Sequence, residues 1–91
     1  MTLSYKWEIG LDKKVLKSID KIPERDKVKI FTAINSLRED PVHGVNIKRL
    51  QGDIGEYRLR VGDYRVIYDL DFSIIKILVI KIAHRKEVYK N

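Results

Sequence analysis

The sequence predicts one α+β domain, ordered β-α-α-β-β-β, with an N-terminal strand and a helical hairpin packed on a twisted antiparallel sheet. Three observations predict it. Apolar residues alternate with polar ones at the amino terminus, recur at intervals of three and four between residues 12 and 37, and alternate again from Tyr57 onward. At 91 residues the chain has the size of a single domain spanning 1–91, with no room for a second.

Leu3, Tyr5, Trp7 and Ile9 alternate with Ser4, Lys6 and Glu8, which is the period of a strand with one buried face, ending at Gly10. Asp12 then suits a helix N-cap, and Val15, Leu16 and Ile19 form an apolar stripe, with Lys13, Lys14 and Lys17 turned outward. This helix stops near Ile22-Pro23. A second runs from Pro23 or Asp26 to Leu37, with Val28, Phe31, Ile34 and Leu37 as its stripe, reinforced by Ile30. Glu39-Asp40-Pro41-Val42-His43-Gly44 has turn residues and no period, so it reads as a surface loop.

The second half reads as sheet. Tyr57, Leu59 and Val61 alternate with Arg58 and Arg60; after Gly62-Asp63, Tyr64, Val66 and Tyr68 alternate with Arg65 and Ile67. A Gly-first pair between two such runs signals a type II′ hairpin. Ile74 to Ile82 is apolar on both faces apart from Lys76 and Lys81, which suggests a central strand covered on both sides.

With Gly62 and Asp63 as the loop, Val61 faces Tyr64, Arg60 faces Arg65, Leu59 faces Val66, Arg58 faces Ile67 and Tyr57 faces Tyr68. Every apolar residue but Ile67 then lies on one face. Arg58, Arg60 and Arg65 share the other, where like charges directly opposite destabilise the sheet by tenths of a kcal/mol up to about 1. Such a face is either solvated, with Glu56 or Asp69 as partners, or holds an anion. Strict alternation, and the match of the guanidinium fork to phosphate, favour the anion. By the same register Tyr57, Tyr64, Tyr68 and Trp7 are packing groups. The helix lysines, Lys27 and Lys29 included, read equally well as a solvated face or as contacts to RNA backbone.

Nineteen Lys and Arg against thirteen Asp and Glu give a formal charge of +6, which favours nucleic acid, anionic membrane or an acidic protein as partner. The lack of Cys excludes disulfides and thiol catalysis, and His43 and His84 are too few for a metal enzyme, so neither cofactor nor metal is expected. The amino terminus has no signal-peptide pattern, and the longest apolar run, Ile77-Leu78-Val79-Ile80, is far too short to span a bilayer. A cytoplasmic protein is expected.

Lys48-Arg49-Leu50-Gln51-Gly52, then Tyr57 to Tyr68, then His84-Arg85 and Tyr89, together resemble the RelE/ParE toxin superfamily, above all its RelE-like members. The resemblance covers the whole chain and implies the RelE-like fold. It also implies the toxin of a type II toxin-antitoxin system: a metal-independent endoribonuclease cutting mRNA in the ribosomal A site. Its implied partner is an acidic, helical, RelB-like antitoxin that wraps round it. In the implied reaction a 2′-hydroxyl attacks the adjacent phosphate, which needs a base, an acid and positive charge around the phosphate. By position, Arg58 and Arg60 match two basic residues of the first hairpin strand and Arg65 the phosphate-binding arginine of the second. Arg85 matches a later basic residue, and Tyr89 a terminal tyrosine that stacks on or orients substrate. The best-known RelE-type sites have lysines at the first two positions. A guanidinium effectively cannot give up its proton, so the four arginines are expected to stabilise charge while His84, Tyr89 or Glu87 moves protons, with the ribosome assisting. The rival readings are a ParE-like inhibitor of DNA gyrase, a catalytically weak RNA-binding relative, and a non-toxic interaction module.

Overall fold

The computed structural model describes residues 6–50 and 56–88. Its elements are β1 (Glu8–Leu11), α1 (Lys13–Ile19), α2 (Glu24–Ser36), β2 (Ile47–Arg49), β3 (Glu56–Val61), β4 (Tyr64–Asp71), β5 (Lys76–His84) and α3 (Arg85–Val88). The strands form one sheet of order β1-β5-β4-β3-β2. The predicted α+β architecture stands, with two short elements added, β2 and α3. One correction concerns strand direction: β2 to β5 are antiparallel, but β1 pairs parallel with β5, from Glu8 opposite Lys76 to Leu11 opposite Val79. The helical hairpin and the rest of the sheet intervene between β1 and β5, and that long excursion lets the chain return in the same direction. The expected contribution of Leu3 and Tyr5 to the first strand lies outside the described residues.

Asp12 caps α1, its Oδ1 accepting from the Lys14 backbone N–H at 2.9 Å. Only one narrow stripe of each helix is buried. Val15 and Ile22 point inward from α1 and the turn after it, while Leu16 is 54% exposed. In α2 the buried stripe is Ile30, Ile34 and Leu37, at spacings of four and three. Val28, expected on that stripe, is 61% exposed. At ~100° per residue it lies on the side of the helix opposite Ile30.

These helical residues meet Tyr57, Leu59, Val66, Tyr68, Leu70, Ile77, Val79 and Ile82 from one face of the sheet, forming the core. Val79 and Ile82 are three apart, yet both face the core. The register explains this: Ile67 pairs with Lys81 and Tyr68 with Val79, leaving Ile80 as an extra residue in β5. A bulge of this kind shifts the two-residue alternation by one. It is why Ile74 to Ile82 looks apolar on both faces. The strand in fact starts at Lys76, and Leu78 and Ile80 are only half-buried, so its outer face is not fully covered. Ile74 and Ile75 belong to the preceding turn, where Ile75 takes a φ of 53°.

The 39–44 loop is tied down at both ends of its turn. Asp40 Oδ1 accepts from the backbone N–H groups of Val42 and His43 at 2.9 and 3.0 Å. Pro41 is fully buried, and its carbonyl accepts from the Tyr68 hydroxyl at 2.8 Å. Tyr68 in turn stacks on Tyr57, with ring centroids 5.8 Å apart. Trp7, expected in the core, lies partly buried at its margin, edge-on to Phe72.

Candidate nucleic-acid interface

The hairpin of β3 and β4 has the register read from the sequence, from Glu56 opposite Asp69 to Val61 opposite Tyr64. Gly62 has a φ of 59° and Asp63 a negative one, which makes the turn type II′. That register sets the side chains on the sheet face away from the helices. Arg60 and Arg65 stand directly opposite one another, and Arg65 is in turn opposite Ala83. In the next row Lys48, Arg58, Ile67 and Lys81 follow one another across four strands. One row further, Glu56 faces Asp69. Basic charge thus occupies the hairpin-tip half of this face, and the other half is mainly acidic, with Glu56, Asp69 and Asp71 beside Lys76.

Arg65 is the best anchored of the cations. It is only 8% exposed, and its Nη1 donates to the carbonyls of Gly62 and Tyr64, both at 2.9 Å. The side chain therefore curls back over the turn that precedes it. The remaining donors of its fork make no hydrogen bond among the described residues, and neither Arg60 nor Arg65 forms an ion pair there. Lys48, Arg58, Arg60 and Arg65, with Val45 and Asn46, line a shallow concavity of about 260 Å³. Asn46 is held at its rim, its carbonyl accepting from the Arg60 N–H at 2.9 Å. Converging donors of fixed position and a single sign of charge make such a hollow suited to a phosphate group.

Lys48 was not singled out from the sequence as a site residue. Its strand, β2, is three residues long, too short to show a period, and it is placed only by pairing with β3, Lys48 opposite Arg58. The available signal was the pair of basic residues Lys48-Arg49 immediately before Leu50-Gln51-Gly52.

The carboxy-terminal group divides differently. His84 is opposite Tyr64 in the ladder, its ring edge-on at 5.5 Å, so it lies on the helix-facing side of the sheet. Glu87 joins His84 and Tyr64 in lining a separate hollow against Ser18, Lys21 and Ile22. The Tyr64 phenol is pushed above its ordinary pKa there, chiefly by burial and then by the carboxylates of Asp26, Asp63 and Glu87. His84 and Glu87 are therefore not brought together with Arg58, Arg60 and Arg65. Arg85 opens α3 and closes onto the hairpin tip, its backbone N–H donating to the Asp63 carbonyl at 2.7 Å, with its Nε 3.7 Å from Asp63 Oδ1. Both side chains are more than half exposed, so this pair contributes at most about 1 kcal/mol. Tyr89 lies outside the described residues.

Comparison with known proteins gives a consistent result. Residues 9–89 match the family model described as ParE toxin of type II toxin-antitoxin system, parDE. RelE1, a candidate toxin of Methanocaldococcus jannaschii, is 33% identical over 88 residues, covering 94% of this chain and 98% of the relative. Among solved structures, a chain of the archaeal RelE-RelB complex from Pyrococcus horikoshii OT3 superposes with a TM-score of 0.78 at 26% identity, covering 88% of this chain and 96% of that one. The isolated E. coli RelE toxin shares the fold, with a TM-score of 0.76 at 22% identity over 91% of this chain and 90% of that one. Hairpin register, sheet order and sequence similarity thus agree, and the chain belongs to the RelE/ParE superfamily as a toxin of a type II toxin-antitoxin system.

Proposed function

We propose that this toxin is a ribosome-dependent, metal-independent endoribonuclease that cuts mRNA by attack of a 2′-hydroxyl on the adjacent phosphate. The observation that carries this reading is the concavity lined by Lys48, Arg58, Arg60 and Arg65. The transition state concentrates negative charge on the phosphoryl oxygens, and donors already held in place stabilise that charge without reorganising. Arg65 is such a donor, because its two carbonyl bonds hold the fork while leaving other N–H groups for the phosphate. Arg60, opposite it, and Arg58, one row away, complete a positive surface for the flanking backbone. Arg85, held against Asp63 at the hairpin tip, and Tyr89 are the further site residues of this reading, acting on the neighbouring nucleotide.

The partner in the resting state is an acidic, helical antitoxin. A net charge of +6 favours such a partner, and the similar chains from Pyrococcus horikoshii and other sources come from RelE-RelB complexes. Toxin, antitoxin and ribosome meet in the cytoplasm.

The test is addition of purified toxin to a translating extract, with mapping of mRNA 5′ ends. New ends within codons, lost with Arg65→Ala by ~100- to 1,000-fold, are expected from removing one transition-state donor. Intact mRNA would refute the reading. The match to a ParE family model supports a second reading, in which the chain acts on gyrase by protein contact. Intact mRNA together with gyrase-dependent DNA damage would favour it.

A further inference from the structure

The concavity is lined by four cationic side chains, and only one of them has a proton it can hand over. Guanidinium groups hold theirs throughout the accessible pH range, so Arg58, Arg60 and Arg65 supply charge and hydrogen bonds but no acid catalysis. Among the described residues, the titratable groups His84 and Glu87 do not share this hollow: His84 pairs with Tyr64 on the helix side, and Glu87 lines the same opposite hollow. Lys48 does share it. It stands opposite Arg58 on β2, on the same face as Arg60 and Arg65, and its side chain is exposed.

We propose that Lys48 is the general acid of the cleavage, an inference that rests on the nuclease reading above. In the reaction the 2′-oxygen forms a bond to phosphorus and its proton passes to water. The bond from phosphorus to the 5′-oxygen breaks, and the Lys48 ammonium gives that oxygen a proton, so the products are a 2′,3′-cyclic phosphate and a 5′-hydroxyl. The neutral amine then takes a proton back from water, and the balance closes without a further reactant. Arg65 and Arg60 hold the phosphoryl oxygens while this happens. The arrangement separates the two tasks by strand: charge stabilisation on β3 and β4, proton delivery on β2.

A leaving group that needs no proton isolates this step. Ribosomes are programmed with a synthetic mRNA carrying either the natural 5′-oxygen or a bridging 5′-sulfur at the scissile phosphate; the thiolate departs unprotonated. Lys48→Ala and Lys48→Arg are each expected to slow the oxygen mRNA by ~100- to 10,000-fold, the usual range for a lost general acid. Lys48→Arg, which keeps the charge of the hollow, is expected to cut the sulfur mRNA within a few-fold of the unsubstituted toxin, which also shows that it is folded; Lys48→Ala, which loses that charge as well, is expected to recover much of its loss on the sulfur mRNA but not all of it. Arg65→Ala is expected to be slow on both. Lys48→Arg that cuts the oxygen mRNA at the normal rate overturns the proposal, since charge alone would then suffice. Lys48 variants equally slow on both mRNAs overturn it as well. Unsubstituted toxin that leaves the oxygen mRNA whole overturns the nuclease reading itself, and the role of Lys48 with it.

Discussion

Replacing Arg60 with Met is expected to make the free toxin more stable and less active, two readouts of opposite sign. Arg60 lies directly opposite Arg65, and neither forms an ion pair among the described residues. Like charges opposed across a ladder destabilise it by up to about 1 kcal/mol. Methionine keeps an unbranched stem and removes the charge together with the donors of the fork. Relief of ~0.5–1 kcal/mol corresponds to a rise of ~2–8 °C in Tm for a domain of this size. Because the Debye length shrinks from ~10 Å at 0.1 M salt to ~3 Å at 1 M, the gain should fade in concentrated salt. Cleavage in a translating extract should fall about 100-fold, the effect of losing one transition-state donor. Thermal unfolding at the two salt concentrations, beside mapped mRNA ends, checks both arms. A lower Tm for Arg60→Met, or a gain equally large in 1 M salt, would refute the idea that this face stores repulsion awaiting an anion.

Tyr68→Phe should destabilise by ~1–3 kcal/mol in denaturant titration, because the buried Pro41 carbonyl loses its donor. Gly62→Ala should cost ~1–2 kcal/mol from left-handed backbone strain alone, since a Cβ there meets nothing within 4 Å; the same measurement should show no change in the cooperativity of unfolding. Asp40 gives a pH dependence. The backbone N–H groups of His43 and then Val42 hold its carboxyl below the ordinary carboxylate value, so its contribution is present above that value and lost as pH falls through the depressed one. Unfolding curves between pH 5 and 2 should therefore lose part of their acid dependence in Asp40→Asn.

Sequence legibility followed the local physics. The β3-β4 hairpin could be read pair by pair, because its two-residue turn fixes the register and every shift by one would turn Tyr57, Leu59, Val66 and Tyr68 to the outer face. The capping of α1 by Asp12 was legible for the same reason, being a contact two residues long. Features that depend on distant partners were not. The parallel pairing of β1 with β5, the three-residue β2 and the bulge at Ile80 are set by strands far along the chain. Two of them altered the site: β2 brought Lys48 beside Arg58, and the bulge shifted the alternation of β5 so that His84 lies beside Tyr64 rather than beside the arginines.

The state of Arg65 argues against a merely solvated arginine face. An arginine on such a face extends into water, yet Arg65 is 8% exposed and bonded twice to backbone carbonyls. Burying a charged group costs free energy, and two hydrogen bonds from one nitrogen offset only part of it. The carbonyls that hold Arg65 belong to Gly62 and Tyr64, residues of the same hairpin turn whose geometry the positive φ of Gly62 sets. Turn and fork are therefore one device: the turn that fixes the hairpin register also aims the guanidinium. A substitution that keeps the hairpin but alters its turn, such as Gly62→Ala, should then reduce mRNA cleavage by more than its loss of stability explains. Cleavage by Gly62→Ala that equals the unsubstituted toxin, under conditions where both are folded, would separate the two and return Arg65 to a purely structural role.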